Sequence, residues 1–383
     1  MERKIYLDHA ATTPLDKDVL QKMLPYFTEN FGNADSPHAF GRKAMGAVDD
    51  ARDKVAELIG AKKNEVYFTS GGTESDNWAI LGGARAKRAE GKSHVVLSSI
   101  EHHAALSAAE RLEKEGFSVS YLPVNAGGRV EIDALNAAVT EKTALVCLMY
   151  ANNETGVLQP VKEAAHIAHA NGALFFTDAV QAAPYLPLDV RESDADMLSF
   201  SGHKFYGPKG IGALYIKSGV KVEKLVGGGE QERGLRGGTV NVPSVVGFAA
   251  AYEKAVAERD WANEKIRSLS ELFLREISVL DGVTRNGEKE SALPSVLNLR
   301  FEGVENTAFL YAMDLQGVCL AAGSACASAS VKPSHVLKAM GLTDEQAKES
   351  VRFSFGKNNT EEEIRLAAKL TVETVERIRK FTP

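Results

Sequence analysis

Lys204 follows the apolar run MLSFS in the segment SFSGHKFYGPKG. An amine just beyond a buried strand gives up its proton more readily than a solvated one, so it can form a Schiff base with a carbonyl. The alternative is a surface lysine whose stem lies along the loop. Ser201 and His203 beside it favour a loop that handles phosphate. Asp178 closes the apolar run LFFTD. A carboxylate there can keep a pyridine nitrogen protonated through a charge-assisted bond, or it can cap the next helix. Ser70-Gly71-Gly72-Thr73 joins a strand to a helix. Its glycines would let backbone approach an anion, and Thr73 could cap the helix and donate to a phosphate; an ordinary tight turn reads equally well. Arg352, in SVRFSFGK, could grip a carboxylate through two parallel hydrogen bonds or sit in a structural ion pair. Cys326, in AAGSACASASVKPSHVL, has small neighbours on both sides, the setting of an accessible and reactive thiol.

These groups need a scaffold that brings them together. From about residue 60 to 216, short apolar runs alternate with helical stretches. The runs cover 66–70, 94–100, 119–124, 144–152, 174–180, 197–201 and 212–216. Continuous apolar strands with helical spacers, such as 161–170, predict an α/β unit around a mostly parallel sheet covered by helices. Ligands in such folds gather beyond the carboxyl ends of the strands. Gly72 and Thr73, Glu101-His102-His103, Asn152-Asn153-Glu154, Asp178 and Ser201-Gly202-His203-Lys204 all fall at such ends. After about residue 258 the pattern changes. A charged amphipathic stretch at 258–277 reads as a helix, followed by the runs PSVLNLRF, VCLAAGS and VRFSF, which suggest a smaller α+β unit. The expected division is 15–258 for the large unit, with 1–14 and 259–383 forming the small one.

The chain has 383 residues, 44% hydrophobic and 25% charged, enough for two packed units with sizeable cores. A net charge of −6 offers no basic surface for nucleic acid. No run approaches the ~20 apolar residues of a membrane span, and the first residues do not read as a secretory signal. Three cysteines, Cys147, Cys319 and Cys326, are too few for a disulfide framework and suit a reducing cytoplasm. Cys147 and Cys319 are expected to be buried. A Rossmann dehydrogenase is excluded, because no GxGxxG opens the first βα turn.

Taken in order, YLDHAATTP, FGNADSPH, FTSGGTESDN, EHHAAL, ANNETG, TDAVQ, SFSGHKFYGPKGIGALY, GGGEQERGLRGGTVNV, GSACASAS with PSHVL, and VRFSFG resemble the cysteine desulfurases of the NifS/IscS type. These form a class V branch of the fold-type I pyridoxal-phosphate enzymes, and the resemblance runs almost end to end. It implies that Lys204 binds pyridoxal 5'-phosphate covalently and that His102 stacks on the ring and assists proton transfer. It implies that Asp178 pairs with the ring nitrogen and Gln181 with the ring hydroxyl, while Gly72, Thr73, Ser201 and His203 form the phosphate site. Thr239 should reach the phosphate of the partner subunit in a homodimer. Asn153 should sit beside the cofactor and, with Arg352, orient the carboxylate of L-cysteine. Cys326 should receive the sulfur as a persulfide, leaving L-alanine. No metal ligands are expected, apart from a transient iron–sulfur cluster contact at Cys326. The partner implied is a sulfur acceptor, such as an iron–sulfur scaffold or a thiolation enzyme, with no direct nucleic-acid or membrane contact. A selenocysteine lyase or another class V enzyme would carry the same cofactor residues. A non-catalytic sulfur-carrier scaffold would be expected to lack Lys204 or Cys326.

Overall fold

The computed structural model describes residues 4–323 and 333–381. Seven strands form the main sheet: β2 (Val66–Thr69), β3 (His94–Ser98), β4 (Ser118–Leu122), β5 (Thr143–Cys147), β6 (Leu174–Asp178), β7 (Met197–Ser201) and β8 (Gly212–Ile216). Their order is β2-β8-β7-β6-β5-β3-β4. β4, β3, β5, β6 and β7 run parallel, and β8 is antiparallel to both β7 and β2. Every residue of β2, β5, β6, β7 and β8 is buried, so both faces of the sheet are covered. This is the mostly parallel α/β sheet expected from the apolar runs. The strands are shorter than those runs, because the last residues of each run leave the ladder to form the site loops.

Three strands of the C-terminal part make a second, antiparallel sheet: β9 (Val283–Asn286), β10 (Val296–Phe301) and β12 (Ser350–Ser354), in the order β12-β10-β9. β1 (Ile5–Tyr6) pairs in parallel with β11 (Val318–Cys319). The start of the chain is thereby tied to elements more than 300 residues later. The helix expected at 258–277 is the second half of a single helix, Val242–Glu276. Its first turns are buried through Val245, Phe248, Ala249 and Tyr252. An apolar stretch that packs on several sides lacks the one-faced pattern that marks a helix in sequence.

One aromatic group fixes the strand that carries Lys204. Phe200 in β7 lies 5.2 Å from Phe248 and 5.1 Å from Tyr252, ring centre to ring centre. Phe205, directly after Lys204, lies 5.2 Å from each of the same two rings. Fully burying one such ring contributes on the order of 2–3 kcal/mol. The lysine is therefore bracketed by two anchored rings. Among the described residues, no helix is long and apolar enough to cross a membrane.

Candidate active site

A cavity of about 220 Å³ opens at the carboxyl ends of the parallel strands. Lys204 reaches it from the short helical turn Gly202–Lys204 that follows β7. Lys204 Nζ donates to the carbonyls of Ala10 at 2.5 Å and Ala11 at 3.0 Å. Two residues on, Tyr206 holds a left-handed backbone with φ 63°. That conformation is costly for a bulky residue. It is held in place where the Tyr206 N–H donates to Thr13 Oγ1 and the Tyr206 hydroxyl accepts from the Lys357 N–H.

Asp178, at the end of β6, also lines the cavity and accepts from the Val180 N–H at 2.9 Å. Burial raises its carboxyl to about 6, while the Val180 bond and the Lys204 charge oppose the rise. Gln181 lies beside it and donates through Nε2 to Ala10 O at 2.9 Å.

Gly72, Thr73, Ser201 and His203 make another part of the wall. A Cβ on Gly72 would stand 2.9 Å from Val180 Cγ2, so a larger residue here would have to displace the Val180 side chain. Gly212 is required, since its Cβ would meet the Gly71 backbone at 2.7 Å. The helix Gly72–Asn77 begins with no side-chain cap. Burial, then the Lys204 and Lys209 charges, lower His203 to about 4, so its ring is neutral near pH 7.

The adjacent histidines part company. His102 lines the cavity and caps the helix His103–Lys114, its Nδ1 accepting from the Ala104 N–H at 3.2 Å. Burial, with help from Lys204, lowers His102 to about 4. A neutral ring that accepts at Nδ1 carries its proton on Nε2. His103 instead packs against His335 in a tilted arrangement, with ring centres 4.6 Å apart.

Arg352, on β12, enters from the second sheet. It is 1% exposed, and its two terminal nitrogens donate to Asn153 O at 2.9 Å and Asp8 Oδ1 at 2.8 Å. Its Nε is buried with no partner among the described residues. Asn153 lines the same cavity. A buried guanidinium with an unused donor in a cavity wall suits an incoming anion.

Two more carboxyls lie close by. Asp76 lines the cavity, is fully buried, and accepts from Ser199 Oγ at 2.5 Å. Burial and the neighbouring Asp178 hold it well above the usual carboxylate range. Glu101 accepts from Ser98 Oγ at 2.6 Å and the Met149 N–H at 2.9 Å, and burial pushes it up to about 8. Glu101 therefore keeps its proton near pH 7, and Asp178 ionises more readily than Glu101.

Ten of the expected residues thus share one cavity: Gly72, Thr73, His102, Asn153, Asp178, Gln181, Ser201, His203, Lys204 and Arg352. Thr239 does not join them. It lies in a separate pocket with Ser70, Arg236 and Asn241. Cys326 lies outside the described residues. Cys147 is fully buried in β5, and burial raises its thiol. Cys319 is half-buried, not enclosed as expected, because the two-residue β11 pairs with β1 at the border of the second sheet. Sequence reasoning missed Ala10, Ala11 and Asp76 in the wall. Asp76 lay within the quoted FTSGGTESDN. Alanine side chains announce nothing, since the groups in use are backbone carbonyls.

A family profile described as aminotransferase class-V matches residues 5–366. A cysteine desulfurase IscS of Clostridium botulinum is 45% identical over 386 aligned positions, which cover 100% of this chain and 97% of that one. A solved structure described as a NifS-like protein superposes with a TM-score of 0.92 at 36% identity, covering 98% of this chain and 100% of the other. A structure described as SspA in complex with cysteine gives a TM-score of 0.83 at 36% identity, with 93% and 100% covered. With this cavity built on this fold, the chain belongs to the class V aminotransferase family, in its cysteine desulfurase branch of the NifS/IscS type.

Proposed function

We propose that the cavity holds pyridoxal 5'-phosphate and that the protein takes sulfur from L-cysteine, leaving L-alanine. The observation that carries this reading is the gathering of Lys204, Asp178, His102 and a buried Arg352 with an unused Nε in one cavity wall. The residues present fit the cofactor. Lys204 would bind its aldehyde, Asp178 its ring nitrogen, Gln181 its hydroxyl and His102 its face. Thr73, Ser201 and His203, against the Gly72 turn, would hold the phosphate. When bound, the cofactor supplies an electron sink for bonds breaking at the substrate Cα and Cβ.

The protein's own groups do the rest. Arg352 and Asn153 orient the substrate carboxylate, so the Cα hydrogen points at a base. Lys204 Nζ takes that proton, and His102, neutral with its proton on Nε2, can return one nearby. The Cys326 thiolate takes the substrate sulfur and keeps it as a persulfide. Asp178, which ionises more readily than Glu101, would carry the negative charge opposite the ring nitrogen.

The remaining assignments follow from the same reading. Thr239, in its separate pocket, would reach the cofactor phosphate of a partner subunit in a homodimer. A sulfur acceptor, either an iron–sulfur scaffold or a thiolation enzyme, would then discharge Cys326. The relative described as SspA was solved with cysteine, which supports the substrate assigned here. The test is to load the pure protein with pyridoxal phosphate, record its visible spectrum, and add L-cysteine while measuring alanine and sulfide together. With dithiothreitol present to reduce the Cys326 persulfide and release its outer sulfur, equal alanine and sulfide are expected. Cys326→Ala should keep the absorption band and lose both products, and Lys204→Ala should lose the band. Normal alanine production by Cys326→Ala would overturn the persulfide role.

A further inference from the structure

The turn that presents Lys204 is closed by a residue from the far end of the chain. Phe205 caps the turn Gly202–Lys204, and Tyr206 follows with its left-handed backbone. Glycine is the common residue at that position of a helix end, and two local bonds normally close it. One is present: the Gly207 N–H donates to Gly202 O at 2.9 Å. The other would run from the Tyr206 N–H to His203 O. The Tyr206 N–H donates instead to Thr13 Oγ1 at 2.8 Å. The Thr13 hydroxyl in turn donates to His203 O at 2.9 Å, and the Thr13 N–H donates to the same oxygen at 2.9 Å.

Thr13 therefore stands inside the cap, between two groups that ordinarily meet directly. A hydroxyl has one hydrogen to give and lone pairs to accept with. Both uses here point into the lysine turn. Thr13 is 2% exposed, so water does not compete for the place.

Tyr206 is held on its other sides as well. Its carbonyl accepts from the Asp16 N–H at 2.9 Å, its hydroxyl accepts from the Lys357 N–H at 3.0 Å, and Lys357 Nζ lies 4.5 Å from its ring centre. A strained backbone persists only where its surroundings over-determine it, and such places gather at functional sites. The segment that brings Thr13 is bound in turn to β12, the strand of Arg352. There the Ser354 N–H donates to Leu7 O at 2.8 Å and the Ala10 N–H donates to Ser354 Oγ at 2.9 Å. None of these bonds uses the Lys204 amine, so all are compatible with an amine that holds a cofactor.

We propose that Thr13 is a positioning residue for Lys204, its hydroxyl closing the lysine turn against the N-terminal segment and so fixing where the amine meets the substrate Cα. This rests on reading Lys204 as the cofactor lysine. The variants are Thr13→Val, which keeps the shape and removes the hydroxyl, and Thr13→Ser, which keeps the hydroxyl. Amide hydrogen exchange of the peptide spanning 200–210, followed by mass spectrometry on the cofactor-free protein, reads the turn directly. Kinetics of the pyridoxal-phosphate-loaded enzyme with L-cysteine and its α-deuterated form read proton transfer at Cα.

Thr13→Val should speed exchange in that peptide roughly tenfold, the usual worth of a lost hydrogen bond. It should lower kcat roughly tenfold or more, the cost of setting a reacting group slightly out of place, with KM within about threefold. Its deuterium isotope effect on kcat should be at least as large as that of wild type, because proton transfer becomes the slower step. Thr13→Ser should stay within about threefold of wild type in exchange and in kcat. Wild-type kcat or wild-type exchange in Thr13→Val overturns the proposal, as does a lower kcat with a smaller isotope effect, or a Thr13→Ser enzyme no better than Thr13→Val. If Thr13→Val does not fold, Thr13→Cys takes its place, since a thiol is a weak acceptor: a kcat below that of Thr13→Ser at unchanged KM supports the proposal, and a kcat equal to it overturns it. A wild-type protein that gains no visible band from pyridoxal phosphate would instead strike the cofactor reading, and it is seen before any variant is compared.

Discussion

Replacing Glu101 with Gln should reverse the order of stability between acid and neutral pH. Glu101 is fully buried, and its Oε1 accepts from Ser98 and Met149 while Oε2 has no partner among the described residues. Burial pushes the carboxyl from 4.5 to about 8. The sign follows from proton counting. Between those values the folded chain keeps a proton that the unfolded chain has lost, so stability falls as pH rises. The fall is about 1.4 kcal/mol per pH unit, on the order of 5 kcal/mol over the whole window. Gln avoids this loss, but it places an amide NH2 where Oε2 now sits unpartnered, at a cost of about 1–3 kcal/mol. At pH 5 the wild type should be the more stable by about 1–2 kcal/mol, and at pH 8 the variant by about 2–4 kcal/mol, with a crossing near pH 6. An unfolding entropy of about 2.1 cal/mol/K per residue, over 383 residues, gives about 0.8 kcal/mol per degree. The difference in melting temperature should therefore swing by about 5 °C between pH 5 and pH 8. Thermal melts of both proteins across that range are the assay. Contributions from surface groups are common to both and largely cancel. Parallel pH profiles, with a swing under about 1 °C, would refute the claim that Glu101 is held protonated by burial.

Three further outcomes are expected. Glu232→Ala removes bonds from Arg52 at 2.6 and 2.7 Å and from the Phe68 N–H at 3.0 Å; the uncompensated buried cation should cost about 3–5 kcal/mol, or roughly 4–6 °C, while Arg52→Met with Glu232→Met recovers most of it. Differential scanning calorimetry decides, and a single-variant loss under 1 °C would count against it. His169 is held above its ordinary value, first by its bond to Asp196 and against the opposing pull of burial; its stabilisation is present below about 6.5 and lost as pH rises through the higher folded value, so His169→Gln should destabilise the protein more at pH 6 than at pH 8.5. Asp178→Asn should lower kcat/KM for L-cysteine by roughly 10- to 150-fold, the worth of one charge-assisted hydrogen bond, with the KM for cysteine less affected than kcat.

The strands of the main sheet were readable because both faces are buried, so each strand is an unbroken apolar run that ends in polar residues. The same contrast located Asp178 and Lys204. β9 was not readable: VTRN is four residues long, and only Asn286 is buried. The first turns of the helix Val242–Glu276 were missed because VPSVVGFAAAY packs on more than one side. Asp8 could be quoted but not assigned, since its partner Arg352 stands 344 residues away. Ala10 and Ala11 act through carbonyls, a use that any residue type would serve. The choice between His102 and His103 needed the helix start, where one ring turns into the cavity and the other onto His335.

The central claim is that the amine of Lys204 bonds the cofactor aldehyde. The direct measurement is to add pyridoxal phosphate to the purified protein, reduce with borohydride, digest, and locate the added mass by tandem mass spectrometry. One cofactor mass on the peptide containing Lys204, and none there after prior incubation with excess L-cysteine, is the predicted result. A cofactor mass spread over surface lysines, with the Lys204 peptide unmodified, would contradict it.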